Sequence, residues 1–154
     1  MPLFNMRDLR ARIATGQRLL GIDPGSRTIG VALTDVSLML ASPFGSIARG
    51  RFASNAAHIA RIAGKQGVGG LVVGLPLSLN GSAGPAAQAA RDWTHRLSEE
   101  TGLPAALWDE RLSSAAVNRF LIGEADMTRK RRSEVVDRMA AAYMMQAALD
   151  ASRG

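Results

Sequence analysis

The chain has 154 residues, 47% hydrophobic and 21% charged, which is enough for one domain with its own core. It contains no cysteine, which excludes a disulfide scaffold, an iron–sulfur cluster, a Cys-ligated zinc site and a thiol nucleophile, and suits a cytoplasmic protein. Nineteen Lys and Arg against thirteen Asp and Glu leave a net charge of +6, which points to a polyanionic partner, nucleic acid first.

Residues 1–17 carry Arg7, Arg10 and Arg12 in a weakly amphipathic stretch and are expected to form an N-terminal extension, either a short appended helix or a loose arm. Its arginines and acid stand where a secretory signal needs an apolar run. Residues 18–154 are expected to form a single domain. Arg18 to Asp23 and Thr28 to Asp35 are apolar runs separated by Pro24-Gly25-Ser26, a pattern that predicts a β-hairpin. Leu38 to Ile47 predicts a third strand, bent at Pro43. Ser54 is expected to cap a helix that Gly67 stops. Val68 to Leu75 is apolar throughout, as in a strand covered on both faces, and the stretch to Leu77 is too short to cross a membrane. A helix from Pro85 to Thr101, a strand from Ala105 to Arg111 and two further helices, capped by Ser113 and Ser133, complete the order. The result is an α/β chain: an antiparallel meander, then strands alternating with helices, forming a mixed sheet covered on its faces.

Asp23 ends a buried strand just before a turn. A carboxylate there needs a cation or hydrogen bonds, and an Asx-turn is the alternative reading. Glu110 follows Ala106-Leu107-Trp108 on another internal strand, and its neighbour Asp109 must point to the opposite face. An ion pair with Arg111 would also account for it. Asp137 lies near the start of the last helix, where the macrodipole alone favours an acid, yet it shares a face with Ala140, Ala141, Met144 and Ala148. Three such carboxylates, brought together, are hard oxygen ligands that select Mg²⁺ or Mn²⁺, a device for cutting phosphodiesters. Arg27, Arg111 and the run Arg129-Lys130-Arg131-Arg132 are the basic residues placed to grip a phosphate backbone, the run being expected as a flexible loop. Trp93 and Trp108 are read as packing residues in a chain with 5% aromatics.

Ile22-Asp23-Pro24-Gly25-Ser26-Arg27-Thr28-Ile29-Gly30-Val31-Ala32 resembles the opening motif of the YqgF family, also called RuvX. The likeness continues through Val73-Gly74-Leu75-Pro76-Leu77, Gly81-Ser82, Asp109-Glu110-Arg111-Leu112-Ser113 and Val136-Asp137-Arg138-Met139-Ala140-Ala141, with Gln146 downstream. Asn80 and Ser114 depart from residues common in the family, and neither is a proposed ligand. The resemblance implies a ribonuclease H-like fold with a mixed five-stranded sheet. It also implies a metal-dependent nuclease with acids at Asp23, Glu110 and Asp137, acting near the 5′ end of precursor 16S rRNA, with ribosomal particles as a further partner.

Resolution of branched DNA, as in a Holliday junction, is the alternative on the same chemistry, and it would call for a two-fold dimer. An ATP-binding domain of the actin and sugar-kinase type is more remote, because a second Asp-x-Gly hairpin is missing. A binding module without catalysis would have no use for the three carboxylates.

Overall fold

The computed structural model describes residues 2–25, 27–75, 84–110 and 129–153, with side chains in the last helix from Arg138 onward. Its elements are α1 (Met6–Arg12), β1 (Arg18–Pro24), β2 (Thr28–Thr34), β3 (Ala41–Ala48), α2 (Phe52–Gln66), β4 (Val68–Leu75), α3 (Pro85–Thr101), β5 (Ala105–Asp109) and α4 (Arg129–Arg153). The strands form one sheet in the order β3-β2-β1-β4-β5. β1, β2 and β3 pair antiparallel, while β4 runs parallel to both β1 and β5. This is the expected mixed five-stranded sheet.

Turn chemistry makes the first hairpin: Gly25 N donates to Thr28 O at 2.9 Å. The bend in β3 has a specific form. Val31 pairs with Gly45 and Ala32 with Pro43, so Phe44 is the extra residue of a bulge beside a proline that has no N–H to donate. Such a bulge also blunts an edge strand against further pairing.

Alternation along the strands divides the core in two. Leu20, Ile22, Ile29, Val31, Leu71 and Val73 face α2 and α3, together with Ile59 and Leu97. Leu19, Val72 and Ala106 face α4 and α1, against Ala141, Met144, Met145, Leu149, Met6 and Leu9. The N-terminal stretch is therefore built into the second core. Met6 and Leu9 of α1 are buried, and Phe4 N donates to Ala105 O at 2.9 Å along β5.

Three boundaries differ from expectation. α2 starts at Phe52 rather than at a Ser54 cap, and its N-cap, Arg51, makes no side-chain bond. Asn55 sets this start: its side chain accepts from Gly50 N and donates to Ala48 O, both at 3.0 Å. β5 ends at Asp109, so Glu110 falls beyond it, and Arg111 lies outside the described residues. α4 begins at Arg129 rather than at a Ser133 cap, because Arg and Lys are good helix formers and extend it by a turn. The helix expected from Ser113 lies outside the described residues.

Candidate active site at the carboxyl edge of the parallel strands

Asp23 is the sixth residue of β1, and alternation sends Leu19, Gly21 and Asp23 to the face covered by α4. Gly21 shows how closely the helix lies on that face, since a Cβ there would meet Met145 Cβ at 2.9 Å. Asp23 is only 2% exposed. β1 pairs with β4 through Ile22 and Val73, so the next pair along is Asp23 and Gly74.

Gly74 is where the second carboxylate comes in. It pairs with Trp108, and Glu110 lies two residues further on, just past the end of β5. The Glu110 side chain folds back over Gly74, where a Cβ would lie 2.9 Å from its Oε1. Glu110 is 6% exposed. The missing side chain at Gly74 thus makes the cradle in which Glu110 approaches the strand position level with Asp23. In the sequence Gly74 stands within the Val73-Gly74-Leu75-Pro76-Leu77 motif with no role of its own. The available signal was a glycine interrupting a buried apolar strand.

Position 137 is on α4, two turns before Met145. The helix runs antiparallel to β1, because its C-terminal end meets Leu38, Met39 and Ala41 beside the β2–β3 turn: Ala41 N donates to Gln146 Oε1 at 2.8 Å, and Gln146 Nε2 to Met39 O at 3.1 Å. Eight residues of helix rise about 12 Å, so α4 passes from Gly21 towards the end of β1 that bears Asp23. The side chain of Asp137 lies outside the described residues. Among those residues no group of three acids or histidines suited to a metal occurs.

Arg27 is exposed on the β1–β2 turn, at the same edge of the sheet as Asp23, and its carbonyl accepts from Arg49 N at 2.9 Å. Residues 129–132 are helical and form the first turn of α4, not a loop. Four cations at a helix N-terminus oppose the macrodipole, an arrangement that favours an anion nearby. Arg111 and the segment 76–83 lie outside the described residues.

Comparison with known proteins gives the class first. Thermus thermophilus RuvC aligns with a TM-score of 0.55 and 13% identity over 90% of this chain and 97% of that one. A T. thermophilus RuvC complex with Holliday junction substrate aligns at 0.53 and 14%, covering 90% and 96%. The fold is ribonuclease H-like. A family model described as "RuvX: Holliday junction resolvase" matches residues 17–151, and the chain belongs to the RuvX family. It is 66% identical over 152 residues to a protein of Gluconacetobacter diazotrophicus, covering 99% of each. To one of Gluconobacter oxydans it is 69% identical over 153 residues, covering 99% of this chain and 96% of that one. Both relatives bear the name "Putative pre-16S rRNA nuclease". Nucleases are hydrolases of phosphodiester bonds. Among the described residues no helix is long and apolar enough to cross a membrane.

Proposed function

We propose that this protein is a metal-dependent endonuclease that trims precursor 16S rRNA near its 5′ end, in the cytoplasm and on ribosomal particles or their RNA. The observation that carries the chemistry is the placement of two nearly fully buried carboxylates on one sheet face, with the Gly74 cradle bringing Glu110 back towards Asp23. Carboxylates gathered at one edge of a sheet are a device for holding divalent cations. The donor set is all hard oxygen, which fits Mg²⁺ or Mn²⁺. Asp23 and Glu110 would hold the metal, and Asp137, arriving on α4, would complete its shell. A divalent ion there supplies activation of water for in-line attack and stabilisation of the leaving oxygen. The chain's own residues fix that geometry. β1 carries Asp23, Glu110 follows β5 and rests on Gly74 of β4, and Arg27 with the Arg129-Lys130-Arg131-Arg132 turn engages phosphates on either side of the cut. The names of the close relatives favour the ribosomal substrate.

A second reading, resolution of branched DNA, is favoured by the description of the matching family model. Incubating 5′-extended 16S rRNA and a four-way DNA junction side by side with Mg²⁺ separates the two. Cleavage of the RNA alone supports the proposal. Paired symmetric nicks in the junction, with the RNA intact, would replace it with the resolvase.

A further inference from the structure

On the opposite face of the sheet, at the same carboxyl edge, a groove of about 500 Å³ is lined by Pro24, Arg49, Ala86, Ala89, Trp93 and Arg96. We propose that this groove is a subsite for an unpaired stretch of the RNA substrate, with a base stacked on Trp93 and the flanking phosphates met by Arg49 and Arg96. The proposal rests on the nuclease reading only in taking nucleic acid as the substrate.

Three observations carry it. The first is position. Pro24 directly follows Asp23, so successive strand residues point one into the carboxylate site and the other into the groove. A strand leaving the scissile phosphate needs only to pass over this edge to enter it. The second is the arrangement of the aromatic residues. Trp93 is half-buried and its ring is set edge-on to Phe52, with centroids 6.2 Å apart and an interplanar angle of 85°. Arg96 lies 4.0 Å above the Phe52 ring, a closed pair. Arg49 stands 6.0 Å from the Trp93 centroid, at the outer limit of such contacts, so it does not cover the ring closely. The third is charge. Arg49 is anchored by donating to Gly25 O at 2.7 Å, and both arginines are exposed. Asp92 also lines the groove, and it accepts from Gln88 Nε2 at 3.0 Å. A tryptophan face with guanidinium groups beside it suits an unstacked base and its phosphates, whereas a duplex keeps its bases stacked and out of reach.

The test uses groove-lining alanines, because Arg49 and Trp93 also support the fold. Ala86 and Ala89 are exposed on α3, and Glu is a good helix former there. Fluorescence anisotropy, without added metal, would measure a labelled single-stranded RNA and the same sequence as a duplex. It would compare wild type, Ala86→Glu, Ala89→Glu and, as a charge control, Ala151→Glu at the far end of α4. The expected result is tighter binding of the single strand by wild type, weakened at least about tenfold by either groove variant and less than about threefold by the control. Equal loss in the control, no loss in the groove variants, or no single-strand binding by wild type would overturn the subsite. Because no metal is present, loss of binding in an enzyme that cuts no RNA would keep the subsite and remove the nuclease reading. Unchanged binding in an enzyme that does cut would do the reverse.

Discussion

Gly74 has a role its composition hides. In Gly74→Ala the new methyl would push the flexible end of Glu110 rather than any backbone, so the stability cost is small while the carboxylate is displaced. Misplacement of a reacting group by 1 Å can cost about 100-fold in rate. The expected outcome is roughly a tenfold or greater loss of kcat with Tm nearly unchanged, read by cleavage kinetics beside a thermal melt. Asp35 gives a second test at this scale, away from the site. Its carboxylate accepts from Met39 N at 2.8 Å, Leu40 N at 3.2 Å and Ser37 Oγ at 2.9 Å. The Met39 bond is the largest cause holding it below its ordinary value of 3.8. A depressed carboxyl contributes stability above that value and loses it as pH falls through the folded-state value. Urea unfolding should therefore show Asp35→Ala less stable than wild type at neutral pH, the gap closing well below pH 3.8. Asp23 and Glu110 stood out as candidates in the sequence because a charge at the end of an apolar run is conspicuous. The cradle at Gly74 did not, because a glycine carries no chemistry until its neighbour across the sheet is known.

The proposed role of Asp137 depends on close approach of α4 to β1. A methyl at Gly21 would meet Met145 at its Cβ, which cannot swing away without moving the helix. Overpacking of this kind costs about 1–3 kcal/mol, and for a domain of this size each kcal/mol lowers Tm by roughly 2–4 °C. Gly21→Ala should melt several degrees lower and also lose activity, since the shift is transmitted along α4. If it melted lower yet cut at the full rate, α4 would not be what places the third acid. Long periodic elements were read well: β4 and α3 have their expected limits. Ends were read less well wherever a side chain from another element decides them, as Asn55 does for α2. The basic run was expected as a loop ahead of a Ser133 cap, yet helix propensity extends α4 over it and leaves four cations on a helix N-terminus.

At the scale of the molecule, the carboxylate site, the β1–β2 turn and the start of α4 lie towards one edge of the sheet. A net charge of +6 biases the whole chain towards nucleic acid. Phosphate contacts give salt-dependent, sequence-independent affinity. Replacing Arg131 and Arg132 with Gln should lower the slope of log K against log salt by about 1–2 and weaken RNA binding across sequences. An unchanged slope would remove the run from the interface. The most direct test of the account is the rate at which Asp23→Asn cleaves 5′-extended 16S rRNA in Mg²⁺. Residues that only orient metal ligands change activity or metal affinity about 10–100-fold, so losing a ligand should cost at least about 100-fold, with the fold and RNA binding retained. If Asp23→Asn cut at the wild-type rate, the buried carboxylates would not be the catalytic centre.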